Sequence, residues 1–412
     1  MKRILIVGAG TAGTMMARHL LRKIDPREWK ITVVDKDENH YYQPGFLFLP
    51  FGIYTDKDVI KPKKKFFSSK IEYLQANVDL IEPQKNKIVL ENGTDLEYHI
   101  IIIATGTDIA SDEVAGLTDS GWQVDAFDFY TYKGASALAR KLETWPGGKL
   151  ALHIAEMPIK CPVAPLEFAF HADAFFTKKK MREKVEIEYV TPLSGAFTKP
   201  IAAGVFGNLL AEKNIKLVPD FNTERVDPNA RQLISYDQRK VDYDLLVTIP
   251  TNMGDALMER SGMGDELNYV PTDKHSLQSK DYENIFVIGD ATDLPSSKAG
   301  AVAHFEAEIL TRNIMSFIRN QPLTASFDGH ANCFIESGFG KGILIDFNYE
   351  YEPVQGRFPI PLLGPMALLK ETRLNHWGKL AFKYIYWNML LNAIPLPGIT
   401  THMSKMGKKL NK

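Results

Sequence analysis

Two cysteines, Cys161 and Cys333, are the side chains of this 412-residue chain best suited to covalent chemistry. An ionised thiol is both a nucleophile and a two-electron redox group. Cys161 stands in a loop ahead of a helix, with Lys160 beside it and Pro165 suited to the first helical turn. A cationic neighbour and a helix N-terminus both favour thiolate over thiol. Glu167 falls in that first turn. A helix dipole there lowers a carboxyl pKa, which works against a base active near neutrality, and burial in an apolar site works the other way. Cys333 lies in the stretch Asp328-Gly329-His330-Ala331-Asn332-Cys333-Phe334-Ile335-Glu336. Taken singly, each cysteine also fits a small buried hydrophobe. So sparse a set is no disulfide scaffold and suits a reducing compartment. No metal site is expected.

Such groups need elements to position them, and the first thirteen residues organise those elements. The apolar run Lys2 to Val7 flows into Gly8-Ala9-Gly10-Thr11-Ala12-Gly13, a helix is expected over Thr14 to Ile24, and Ile31-Thr32-Val33-Val34-Asp35 reads as a second buried strand ending in an acid. Strand, glycine turn, helix, strand, with an acid about 20 residues on, is the dinucleotide-binding pattern. Gly8 makes the tight turn, Gly10 admits a pyrophosphate, and Gly13 lets helix and strand pack. The helix start offers free N–H groups to phosphate, and Asp35 can accept ribose hydroxyls. Next come the polar-aromatic turn His40 to Gly45, expected near a bound dinucleotide, and the run Lys61 to Lys65, read first as a solvated face and otherwise as a set beside phosphates or anionic lipid. Ile88 to Tyr98 reads as a hairpin around a type I′ turn at Asn92-Gly93.

Two further apolar strands end in Ala104-Thr105-Gly106 and in Gly289-Asp290-Ala291. In this order the three motifs resemble FAD proteins of the two-dinucleotide-domain type. That resemblance implies FAD, held by Gly8, Gly10, Thr11, Ala12, Gly13, Asp35, Lys36, Ala104, Thr105, Gly106, Gly289, Asp290, Lys298, Ala299 and Gly300. A helix from Gly300 would point its N-terminus at the flavin, and His304 on it reads as a packing histidine. Between these motifs a second strand–helix–strand unit runs through Lys149–Ile154, Ala164–Ala174 and Val185–Val190, followed by a helix at Ala202–Ala211 and a strand at Tyr243–Ile249. Its loop is Ala155-Glu156-Met157-Pro158-Ile159-Lys160-Cys161-Pro162, where a nicotinamide domain would carry glycines. Bulky residues and prolines deny the close backbone approach that a pyrophosphate needs.

The chain resembles sulfide:quinone oxidoreductases over nearly its whole length, on Gly8 to Gly13, Ala104 to Gly106, Cys161 to Glu167, Gly289-Asp290 and Asn332 to Glu336. The resemblance implies that Cys161 and Cys333 carry a sulfur bridge beside FAD, that sulfide attacks it, and that Glu167 takes the proton. It also implies a quinone site at Phe334, Lys379 and Phe382. One departure is that many members have a third cysteine ahead of Cys161, and Trp122 to Thr131 contains none.

From Lys370 onward aromatic and leucine residues interleave with Lys379, Lys383, Lys405, Lys408, Lys409 and Lys412, with Ile394 to Ile399 as an apolar break. No window reaches the 18 or so apolar residues that span a bilayer, so helices lying in the membrane interface are expected. A docked helix or a contact in a homo-oligomer is the other reading. A net charge of −1 argues against a nucleic-acid partner, and 45% hydrophobic residues allow large cores. The expected architecture is α/β, with two Rossmann-like domains: a discontinuous FAD domain (1–113 and 276–322), an inserted second domain (114–275), and a membrane-associating C-terminal region (323–412). The expected partners are sulfide, a membrane quinone and the bilayer surface. No export signal precedes the first strand, which gives a peripheral place on the cell membrane. A type II NADH:quinone oxidoreductase is the alternative function, and a flavin-bearing interaction module the second.

Overall fold

The computed structural model describes residues 1–119, 121–360 and 363–410, so Lys412 of the C-terminal lysine set lies outside it. The first unit is β1 (Lys2–Val7), α1 (Thr11–Leu21) and β2 (Trp29–Asp35), followed by β3 (Ile71–Gln75) and β4 (Ile100–Ile103). Ile4, Leu5 and Ile6 are fully buried and run parallel to Ile31, Thr32 and Val33. A near-continuous apolar run of this kind is what a parallel sheet covered on both faces requires. Helix α1 begins at Thr11, three residues ahead of the expected start, so Gly13 is inside it. The helix can start there because Gly13 has no side chain: a Cβ would stand 1.9 Å from the Gly8 carbonyl oxygen. The hairpin also differs in its turn. Gly93 donates to the Leu90 carbonyl and Gly93 alone is left-handed, so the chain turns as type I with a glycine after it.

The second unit holds β5 (Ala126–Phe127), α2 (Tyr132–Thr144), β6 (Gly148–Ile154), α3 (Ala164–Lys178), β7 (Val185–Val190), α4 (Pro200–Glu212), β8 (Ile215–Val218) and β9 (Leu245–Ile249). The chain then returns through β10 (Ile285–Val287), which pairs with β4, and α5 (Gly300–Ile318). Two five-stranded parallel sheets result among the described residues, ordered β10-β4-β1-β2-β3 and β5-β9-β6-β7-β8. In each, the order reverses beside the unit's first long strand, and this is where an α/β sheet opens a crevice for ligands.

The C-terminal part is a four-stranded sheet of β11 (Ala331–Gly338), β12 (Lys341–Phe347), β13 (Gly356–Phe358) and β14 (Met366–Leu368), ordered β11-β12-β14-β13, with α6 (Arg373–Asn388) across it. Only this one α-helix forms among the described residues after Lys370, where several were expected. Its inner face is docked: Tyr386 is fully buried, and its hydroxyl meets Thr11 Oγ1 and His40 Nε2, each at 2.7 Å. No helix among the described residues is long and apolar enough to cross a membrane.

Candidate active site

A cleft of about 310 Å³ opens at the first crevice. Every residue expected at the cofactor lines it except Gly13, whose part is the helix–strand packing described above. The backbone forms a cradle that side chains would fill. Gly8 has φ +98°, and a Cβ on it would lie 2.4 Å from the Ala104 carbonyl oxygen; one on Gly10 would meet nothing within 4 Å, leaving that side open to the cleft. Asp35 accepts the Ala9 N–H at 2.5 Å, and the N–H of Gly289, at the far wall, donates to Glu306 at 2.7 Å. These residues fit a dinucleotide lying along the cleft, with pyrophosphate at the start of α1. The aromatic turn contributes Tyr41, Gln43 and Pro44 to the wall, as expected.

Two residues were not named beforehand as part of the site: Lys63, which lines the cleft, and Glu306, which stands behind Gly289. Lys63 is no solvated lysine: its side chain is 5% exposed and it pairs with Asp35. Glu306 is buried on the inner side of α5. An acid flanked by Phe305, Ala307 and Ile309 is a signal that sequence reading could have used; a lysine inside a lysine run offers none. His304 is buried off the cleft, 3.8 Å from Glu308, with Nδ1 unpartnered.

At the inner end of the cleft stands Cys161. Its φ is +47°, a left-handed conformation that costs a non-glycine residue about 1–2 kcal/mol. Three hydrogen bonds hold it there. The Cys161 N–H donates to the Lys298 carbonyl at 2.9 Å, and its own carbonyl accepts from the Ala164 N–H at 2.8 Å and the Tyr130 hydroxyl at 3.2 Å. The rest of the loop is tied to buried Asn252, whose side chain accepts the Lys160 N–H at 2.7 Å and whose N–H reaches the Pro158 carbonyl at 2.8 Å. Cys333, on β11, does not line the cleft, but the fold brings it near enough that charge on Cys161 raises its pKa. Both thiols are free and half-buried.

The expected thiolate is not what the protein alone produces. Burial pushes the Cys161 thiol up to about 11, with Glu167 adding to the rise, and burial pushes Cys333 up further. The cation that opposes this is Lys379; Lys160 lies over the Tyr130 ring instead. Glu167 is 1% exposed, and here burial outweighs the helix dipole. Desolvation raises its pKa against the opposing charge of Lys379, 2.8 Å away. Lys379 is therefore a buried member of this site. Burial works against its charge, but Glu167 and Cys161 together outweigh that and hold it protonated, while its ammonium also donates to the Phe334 carbonyl at 2.8 Å.

Of the three residues expected at a quinone, only Lys379 lines the cleft. The Phe334 ring packs on Gly378, where a Cβ would stand 2.6 Å from it, and Phe382 is half-buried against the main core. Sequence reading missed Tyr130, Asn252, Glu336 and His376, whose parts depend on contacts between distant segments.

Residues 2–307 match the family model described as pyridine nucleotide-disulphide oxidoreductase. The chain is 25% identical to the mitochondrial sulfide:quinone oxidoreductase of Mus musculus over 399 residues, 95% of this chain and 86% of that one. It is 26% identical to the mitochondrial sulfide:quinone oxidoreductase of Dictyostelium discoideum over 408 residues, 96% and 90% of the two chains. Among solved structures, the sulfide:quinone oxidoreductase of Aquifex aeolicus superposes with a TM-score of 0.79 at 20% identity, covering 96% of this chain and 92% of that one. By the family match, which takes in most of its length, the chain belongs to the pyridine nucleotide-disulphide oxidoreductases.

Proposed function

We propose that this protein is a FAD-dependent sulfide:quinone oxidoreductase, joining sulfide into polysulfide or bound sulfur at Cys161 and Cys333 and reducing a membrane quinone. The observation that carries the reading is a loop without glycine at the second crevice, which delivers a cysteine to the dinucleotide cleft and has a second cysteine beside it. The full-length similarity to sulfide:quinone oxidoreductases supports it. FAD is the cofactor; it supplies two-electron chemistry between sulfur and quinone. Gly8 to Gly13, Asp35, Gly289 and Asp290 would hold it.

The chain's own groups do the rest. Attack of HS⁻ on the sulfur bridge between Cys161 and Cys333 forms one sulfur–sulfur bond, breaks another and frees one cysteine as thiolate. Lys379 stabilises that thiolate in surroundings that otherwise oppose it. Glu167, its pKa raised by burial, accepts the proton of the incoming sulfide. Joining two H₂S molecules releases two electrons and two protons, and the quinone takes up both. The quinone head would meet Lys379, with Phe334 and Phe382 as its apolar wall.

Anaerobic mixing with sulfide, and separately with NADH, tests the reading. Sulfide bleaches the flavin and a short-chain quinone restores it; bleaching by NADH and not by sulfide returns the protein to the type II NADH:quinone class. We also place the protein on the membrane surface through α6. Leu374, Trp377 and Tyr384 lie along its outward face, and Trp377 and Tyr384 are 64% and 68% exposed. Replacing both with serine lowers co-flotation with liposomes; unchanged flotation excludes this face.

A further inference from the structure

Beyond the Glu167–Lys379 pair the ionisable side chains continue toward solvent. The Glu336 side chain, on β11, is 1% exposed, and its carboxylate meets His376 Nδ1 at 2.8 and 3.0 Å. His376 lies one helical turn before Lys379 on α6, and its side chain is 21% exposed. At the inner end, the Glu336 N–H donates to Glu167 at 2.8 Å, and Lys379 donates to the carbonyl of Phe334, two residues earlier. One short stretch of β11 is thus bonded to the buried pair through its backbone and to a solvent-reaching histidine through a side chain.

Packing alone gives no reason for an acid at 336. Its neighbour Ile335 is fully buried, and an apolar side chain would avoid the desolvation cost of a carboxyl. The other groups facing it are Glu167 and Lys379, already described, and Tyr54 from the segment ahead of β3, while His171 from α3 faces Lys379 and His376. Burial lowers His171 to about 3 and raises Tyr54 to about 12, so neither changes charge near neutral pH. Glu336 does: burial lifts it to about 7 against the pull of His376. A buried acid that titrates at working pH, bonded to a half-buried imidazole that reaches solvent, has the properties of a proton relay.

We propose that Glu336 and His376 form the passage by which protons travel from water to the buried Lys379–Glu167 pair during quinone reduction. The role rests on the sulfide:quinone reading above. A quinone that gains two electrons must also gain two protons. Lys379 gives a proton to the quinone oxygen, Glu336 restores the one lost from the pair, and His376 restores Glu336 from solvent. Each N–H or O–H bond broken on one group is formed on the next, so only water is depleted. Neither residue touches the quinone; both act through Lys379.

The test isolates quinone reduction. Anaerobic holoenzyme is reduced with one equivalent of dithionite and mixed with a short-chain quinone and a pH indicator, and flavin re-oxidation and proton uptake are followed from pH 5.5 to 9. Wild-type re-oxidation slows above about pH 7 as Glu336 loses its proton. Glu336→Gln removes that limb and slows the step by about tenfold or more, and Glu336→Asp recovers part of the rate. His376→Ala slows it with a larger solvent isotope effect, and free imidazole restores it. If both variants keep the wild-type rate, pH limb and isotope effect, the passage is not used. If Glu336→Gln fails to retain FAD, His376→Ala with and without imidazole decides alone. Because dithionite replaces sulfide, an enzyme that re-oxidises with quinone but never bleaches with sulfide overturns the function reading and leaves the relay under test.

Discussion

The molecule contains the same crevice twice. In β10-β4-β1-β2-β3 and β5-β9-β6-β7-β8 the order reverses at equivalent places, and each crevice receives a loop running from a strand into a helix. At the first, the loop is glycines, one at φ +98°, and the backbone lies open to a dinucleotide. At the second, Ala155 to Pro162 carries a bulky chain across the opening, and Cys161 is hydrogen-bonded to Lys298 in the wall of the first cleft. The fold sets where a crevice forms. The loop's side chains decide whether it takes a pyrophosphate or surrenders the space to a thiol.

Exchanging properties between the crevices should break them in opposite ways. Cys161→Ser or Cys333→Ser keeps FAD and lowers sulfide-driven bleaching about a thousandfold or more, since a hydroxyl cannot replace a redox sulfur. Gly8→Ala should do the reverse. Its Cβ meets the Ala104 carbonyl at 2.4 Å and its φ disfavours any side chain, so the protein purifies without flavin. Absorbance at purification and stopped-flow bleaching separate the two. A Gly8→Ala protein with full flavin content, or a serine variant that still bleaches at the wild-type rate, removes the contrast.

How much of this was legible follows from how far apart the interacting residues lie. The first crevice is local: Gly8 to Gly13 and Asp35 fall within one strand–helix–strand unit, so residue types and spacing locate the cradle. The altered second loop is local too, and its missing glycines were readable. The electrostatics were not. Lys160 is next to Cys161 in sequence, yet Lys379 from α6 is the cation that acts on it. Lys63 looks like one solvated lysine among several until β2 brings Asp35 against it. The C-terminal region was half legible for the same reason: its amphipathic pattern was clear, but only the packing of Tyr386 on Thr11 and His40 reveals which face is docked. Pairing Cys333 with Cys161 came from family resemblance, because nothing local to either cysteine points to the other.

A smaller contrast lies in what braces each crevice. The first depends on an acid: Glu306 accepts the Gly289 N–H and is lifted by burial to about 7. In the unfolded chain it returns to an ordinary value near 4.5, so the folded state binds its proton more tightly. That contribution to stability is fully present below the unfolded pKa and is lost as pH rises through about 7, a difference on the order of 3 kcal/mol at most. The second crevice is braced by Asn252, which is neutral and fully buried. Glu306→Gln should therefore raise the denaturant midpoint of the holoenzyme at pH 8, leave it unchanged at pH 4, and flatten the slope between. Asn252→Ala should lower it by a similar amount at both, about 1–3 kcal/mol for an orphaned buried donor. A Glu306→Gln protein with the wild-type slope would mean that the buried carboxyl is not what makes the first crevice pH-sensitive. Parallel curves for the two variants would mean that the crevices are braced alike.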